Sequence, residues 1–168
     1  VAVALLVTAC GSSAEDPEAV EASTDAAAAS STPEANPLTF TSTTTQGESF
    51  DAADLAGRDV VLWFWAPWCT VCRSEAPQVA AAAEQVADVR VIGIASSGSL
   101  DEMQAFVDET GSGSVTHVAD LPGDVWRAFG VVTQPTFVFV DDDGRTQTVS
   151  GGLPQAALVD AMKQLAQA

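Results

Sequence analysis

A chain of 168 residues, 47% of them hydrophobic, has room for one core of ordinary size and little for a second. Its 23 acidic side chains against six Lys and Arg give a formal charge of −17. Such a field repels nucleic acid and offers anionic lipid no basic patch, so both are excluded as electrostatic partners and the acidity is read as a solubility device. The three cysteines fall as one loner, Cys10, and one close pair, Cys69 and Cys72, which excludes a disulfide scaffold. The single histidine, His117, cannot complete a zinc tetrahedron with that pair unless a carboxylate or a second chain supplies a ligand, so no metal is expected. His117 itself is expected to be a surface or partly buried structural residue.

The first nine residues, VAVALLVTA, read as the remnant of an apolar export signal, too short to span a bilayer as a helix. Val7-Thr8-Ala9-Cys10, followed by Gly11-Ser12-Ser13, resembles the lipobox of bacterial lipoproteins. That resemblance implies a diacylglyceryl thioether on Cys10, which becomes the mature N-terminus, and two acyl chains suffice for stable anchoring. Residues 10–37 are thus expected to be a lipidated cysteine and a disordered acidic linker of Ala, Ser, Thr, Glu, Asp and Pro, unable to bury enough surface to offset the entropy of ordering. A coil of that length reaches on the order of 30 Å.

From Leu38 to Ala168 the pattern changes to apolar segments separated by turn residues. Leu38–Thr45 and Ser49-Phe50 predict a short hairpin around Gln46-Gly47. Val60–Ala66, VVLWFWA, suits a central strand buried on both faces. Cys69–Val86 predicts a helix and Val89–Ala95 the next strand. Leu100–Glu109 predicts a helix capped by Ser99 with Glu102 three residues on. A short helix at Asp124–Phe129, a strand at Thr136–Asp141, a turn at Asp143-Gly144, an edge strand ending near Val149 and a helix opened by Pro154 complete the series. The order is βαβ, a helix, then ββα.

Trp65-Ala66-Pro67-Trp68-Cys69-Thr70-Val71-Cys72 resembles the active-site segment of thioredoxin-like proteins, in the branch of the TlpA and DsbE redoxins. Pro77 stands where that family has its helix-kinking proline, and Val132-Thr133-Gln134-Pro135-Thr136 where it has its cis-proline loop. Ile94-Ala95, Met103-Gln104-Ala105-Phe106 and Val125-Trp126 look like the secreted DsbE/DsbF-type thioredoxins of actinobacteria. The resemblance implies an α/β thioredoxin fold over residues 38–168: a central mixed sheet flanked by helices, with an N-terminal β-hairpin extension. It also implies a thiol–disulfide oxidoreductase with no cofactor beyond its redox-active disulfide. Trp68, Gln134 and Pro135 would contact a client, Gln134 through backbone groups that pair with an extended strand.

The spacing has a physical reason. Two residues between cysteines at a helix start let the sulfurs reach bonding distance, while the first thiol stays exposed where unpaired N–H groups and the helix dipole stabilise a thiolate. Cys69 is therefore expected to be the nucleophile and Cys72 the resolving thiol. A thiol peroxidase would need a P-x-x-x-T/S-x-x-C frame, which the segment after Pro67 lacks.

Two departures bear on direction. Reducing thioredoxins carry a buried Asp six residues before the first cysteine, where this chain has Trp63, leaving Cys72 without an evident internal base. Thr70-Val71 also lacks the proline that thioredoxin has before its second cysteine. Glu75, three residues past Cys72, matches a Glu of TlpA-like motifs and is a candidate proton relay, although a solvated carboxylate on the helix face is the favoured reading. The expected function is an extracytoplasmic disulfide oxidase for exported thiol proteins, lipid-anchored at the outer face of the cytoplasmic membrane and monomeric. A quinone-linked DsbB-like or vitamin K epoxide reductase-like (VKOR-like) protein would reoxidise it. The alternative is a reductase of the TlpA/ResA type, for example in cytochrome c maturation, fed by a CcdA/DsbD-like carrier.

Overall fold

The computed structural model describes residues 36–168. An N-terminal hairpin of β1 (Thr41–Thr44) and β2 (Ser49–Asp51) is followed by β3 (Val60–Trp65), α1 (Thr70–Gln85), β4 (Arg90–Ala95), α2 (Leu100–Thr110), β5 (Thr116–Ala119) and α3 (Asp124–Ala128). Strands β6 (Thr136–Val140) and β7 (Thr146–Ser150) and helix α4 (Gln155–Leu165) complete the chain. The strands form one mixed sheet in the order β2-β1-β5-β4-β3-β6-β7. Strand β3 lies near its centre, parallel to β4 and antiparallel to β6. This is the expected thioredoxin-like architecture.

All six residues of β3 are buried. Because side chains alternate across a strand, Val61, Trp63 and Trp65 enter one core cluster with residues of α1, α2 and α4. Val60, Leu62 and Phe64 enter another, with Val125 of α3 and with Leu38, Ala52 and Leu55. Each large side chain so buried contributes about 1.5–3 kcal/mol. Helix α2 opens with the expected capping box, Ser99 and Glu102 each accepting or donating across the first turn, and closes on Gly111 at φ +65°. Pro77 lies inside α1, which continues to Gln85.

In the sheet, one strand and the burial of one of its residues differ from the sequence-based expectation. Strand β5 was not anticipated: it is four residues long and carries Thr116 and His117, too short and too polar for a period-two signal. It pairs with β4 and with β1, and so joins the hairpin to the rest of the sheet. Its position between two strands buries His117 completely, correcting the surface or half-buried placement.

Candidate active site

Strand β3 ends at Trp65, and the chain turns through Ala66-Pro67-Trp68, with the Cys69 amide donating to the Ala66 carbonyl at 3.0 Å. Cys69 is the N-cap of α1: its backbone is extended, and its Sγ accepts the Cys72 amide at 3.1 Å. The two cysteines form a disulfide with a Cα–Cα distance of 5.3 Å. Cys69 keeps 6% of its surface exposed and Cys72 none. Arg73, one turn on, donates to the Pro67 carbonyl at 3.1 Å, and its guanidinium lies 5.0 Å from the Phe106 ring centroid.

Trp68 is 62% exposed, and its indole N–H donates to the Ser97 carbonyl at 2.9 Å. Pro135 follows a cis peptide bond with Gln134, and its carbonyl accepts the Gly151 amide at 2.8 Å. The antiparallel register Phe64↔Thr136 sets the Val132–Pro135 loop at the same end of the sheet as the cysteine turn. Strands β4 and β5 end there too, which brings Ser97 and Leu121 to this end. The exposed large apolar side chains among the described residues, Trp68, Val71, Leu121 and Val132, all belong to this end.

Glu75 is not on a solvated face. It is 4% exposed; one carboxylate oxygen accepts the Trp63 indole N–H at 3.1 Å and the other the Leu153 amide at 2.6 Å. Burial raises its pKa above the usual carboxylate value, and the hydrogen bonds from Leu153 and Trp63 oppose the shift. The same contacts correct the inference from Trp63. The indole at that position draws a carboxylate inward from α1, so an internal acid does lie one turn from Cys72. The adjoining loop is fitted to it: a Cβ on Gly152 would lie 3.1 Å from the Glu75 carboxylate and 3.4 Å from Val71.

His117 lies edge-on to Trp65 and Trp63. Its Nε2 lies 3.1 Å from the Ser112 carbonyl, which only accepts, so Nε2 carries the proton and Nδ1 is bare. Nδ1 and the Trp65 indole N–H, both buried, have no hydrogen-bond partner among the described residues. Gly93 pairs with His117 across β4 and β5, and a Cβ there would stand 2.2 Å from His117 Nδ1 and 2.8 Å from Trp65 Nε1. Burial lowers the His117 pKa to about 4. Among the described residues no group of three His, Cys, Asp or Glu side chains assembles as for a metal.

Two further residues escaped the sequence reading. Asp120 is buried, and its carboxylate accepts the amides of Asp124 and Trp126, each at 2.9 Å, anchoring α3; Asp120 ahead of Pro122-Gly123 is the signal that could have found it. Ser97, whose carbonyl holds Trp68, follows β4 in a Ser-Ser-Gly-Ser run that reads only as a loop. Cys10 and the expected linker lie outside the described residues, save for Asn36 and Pro37 at the linker's end.

Residues 34–149 match the model of the AhpC/TSA family. The soluble secreted antigen MPT53 of Mycobacterium tuberculosis is 40% identical over 121 residues, covering 72% of this chain and 68% of that protein. The thiol-disulfide oxidoreductase ResA of Halalkalibacterium halodurans is 29% identical over 121 residues, covering 70% and 68%. Among solved structures, M. tuberculosis DsbF in mixed oxidised and reduced forms superposes with a TM-score of 0.75 at 37% identity, covering 78% of this chain and 98% of that one. A secreted M. tuberculosis disulfide oxidoreductase homologous to E. coli DsbE gives 0.73 at 36%, covering 77% and 98%. Among the described residues no helix is long and apolar enough to cross a membrane. With its disulfide at the head of the helix that follows the central strand, the chain belongs to the AhpC/TSA family and is a thioredoxin-like thiol–disulfide oxidoreductase.

Proposed function

We propose that the protein is an extracytoplasmic disulfide oxidase for exported proteins, with Cys69 as the attacked sulfur and Cys72 as the resolving thiol. The observation that carries this reading is the Cys72 amide pointing at Cys69 Sγ from the first turn of α1. The same N–H, with the helix dipole behind it, stabilises a Cys69 thiolate, and stabilising the reduced form makes the disulfide a stronger oxidant. A client thiolate attacks Cys69 Sγ, and the Cys69–Cys72 bond breaks with Cys72 leaving as a thiolate. The client's second thiolate then attacks the client sulfur in the mixed disulfide and releases Cys69. The client gains one disulfide and the enzyme two electrons. Glu75, with its raised pKa, serves as a proton relay for Cys72. Trp68, Gln134 and Pro135 form the client-binding surface.

The secreted character in the names of MPT53 and of the DsbE-like M. tuberculosis protein supports an extracytoplasmic setting. In this reading Cys10 carries the lipid anchor, residues 10–37 tether the domain, and a quinone-linked DsbB-like or VKOR-like membrane protein reoxidises the monomeric enzyme. The ResA relatives and the buried Glu75 favour a second reading, a reductase supplied by a CcdA/DsbD-like carrier. The reduction potential separates the two. An oxidase has a value clearly above the roughly −270 mV of thioredoxin, with each 30 mV worth about 1.4 kcal/mol. A value at or below that reference, with rapid reduction of insulin by the wild type, overturns the oxidase. The roles of the cysteines are tested by trapping: Cys72→Ser accumulates mixed disulfides with clients, and Cys69→Ser accumulates essentially none.

A further inference from the structure

Ser97 has a φ of +60°, the left-handed region, and is the only residue other than glycine there among the described residues. It lies in the loop between β4 and α2, and three successive residues of that loop grip the segment ahead of Cys69. The Ser96 amide donates to the Trp65 carbonyl at 3.1 Å. The Ser97 carbonyl accepts the Trp68 indole N–H at 2.9 Å. Gly98 is packed so closely on Pro67 that a Cβ there would stand 2.4 Å from the proline Cγ. An L-residue takes the left-handed conformation only at a cost, greatest for β-branched side chains, and here that conformation turns a carbonyl toward an exposed indole.

We propose that Ser97 is a positioning residue for Trp68: its left-handed backbone ties down the polar edge of the indole and leaves the ring face, beside Cys69, as a fixed apolar platform for the client. With the N–H already bonded, Trp68 has no hydrogen to offer a client; its free surface contacts aliphatic or cationic side chains. The inference rests on the reading that clients meet the enzyme at Cys69 beside Trp68, and it holds whichever way the electrons flow.

The test compares Ser97→Gly, which accepts the left-handed conformation, with Ser97→Val, which resists it. Each oxidised enzyme is mixed with a cysteine peptide bearing apolar neighbours, whose thiolate forms the mixed disulfide at Cys69 and expels Cys72, and separately with dithiothreitol. Ser97→Val is expected to lower the peptide rate constant on the order of fivefold, the worth of one hydrogen bond, and to shift the Trp68 indole N–H resonance, with the dithiothreitol rate unchanged. Ser97→Gly restores both wild-type values. In a Trp68→Phe background the valine substitution has no further effect on the peptide rate. An unshifted indole resonance in Ser97→Val, or an equal peptide loss in the Trp68→Phe background, overturns the proposal. If Ser97→Val does not fold, hydrogen exchange in the wild type decides: a Trp68 indole proton exchanging as fast as an unbonded one overturns it, and a protected one supports it. A wild type that reacts with dithiothreitol but not with the peptide sinks the client reading instead, and the indole resonance still reports on the Ser97 contact.

Discussion

Val61, Trp63 and Trp65 face α1, α2 and α4, whereas Val60, Leu62 and Phe64 of the same strand face α3 and the N-terminal segment. The second side is mainly aliphatic and aromatic, with Ile92, Ile94, Val118, Val138 and Val140 around Phe64, and its buried polar residues include Thr136, opposite Phe64, and Asp120, which holds α3 through backbone amides. The first side stacks Trp65 on Phe106 at 4.1 Å and also holds two buried titratable groups, Glu75 against Trp63 and His117 edge-on to Trp65. The cysteines sit on the first side. A hexapeptide that is apolar at every position thus supports a plain core on one face and an electrostatically tuned one on the other, because indole rings fill volume while offering an N–H. Disturbing the plain side should cost stability and leave the chemistry alone; disturbing the tuned side should show pH dependence.

The largest effect is expected on the plain side. Phe64→Ala leaves a cavity among Trp126, Phe129 and the β-branched residues, and should lose about 3–5 kcal/mol in urea unfolding. The reduction potential of the folded variant should be that of the wild type; a shifted potential would mean that the two sides are coupled.

His117 comes next. Its folded pKa of about 4 lies below the ordinary 6.5. The unfolded chain therefore binds the proton more readily, and the stability contributed by the neutral ring is present above pH 6.5 and lost as the pH falls toward 4. The loss amounts to about 3 kcal/mol. Glu75 runs the other way: its raised folded pKa penalises the fold at neutral pH, and the penalty is relieved as the pH falls through that pKa. The difference in unfolding free energy between wild type and His117→Asn, followed from pH 7.5 to 4, isolates the histidine. A pH-independent difference would contradict a neutral buried ring.

Gly93→Ala should cost about 1–3 kcal/mol, since its methyl meets His117 Nδ1 and Trp65 Nε1 and the rings must shift. Near-ultraviolet circular dichroism should report the altered tryptophan packing, and an unchanged spectrum with full stability would show that the rings have room to move. The smallest effect belongs to Glu75→Gln. The amide has one oxygen for two N–H donors, Trp63 and Leu153, so about 1–2 kcal/mol should be lost. In stopped-flow measurements the pH profile of the Cys72 step should lose one limb, and a profile identical to that of the wild type would remove Glu75 from proton transfer.

How much was legible follows the range of the interactions involved. The apolar run Val60–Ala66, the Ser99–Glu102 capping box and the spacing of Cys69 and Cys72 at a helix start are all written in residues a few positions apart, and the structure bears each out, whereas the cis bond at Gln134-Pro135 follows from the family resemblance. Glu75 was misjudged because helical spacing puts it on a face but cannot say what covers that face; Trp63 and Leu153, 12 and 78 residues away, do so. Strand β5 and the burial of His117 depend on β1 and β4 closing on either side of four weakly patterned residues. Ser97 needed the Trp68 indole, 29 residues earlier, before its carbonyl had a role. The sequence by itself determined the order of most elements and which two cysteines pair at the start of α1, because helix caps, alternation and turns are local energetics. The tertiary structure alone decided which polar groups lie in the dry side of the core and so have displaced pKa values, because desolvation is set by neighbours that the chain brings together only when the sheet closes.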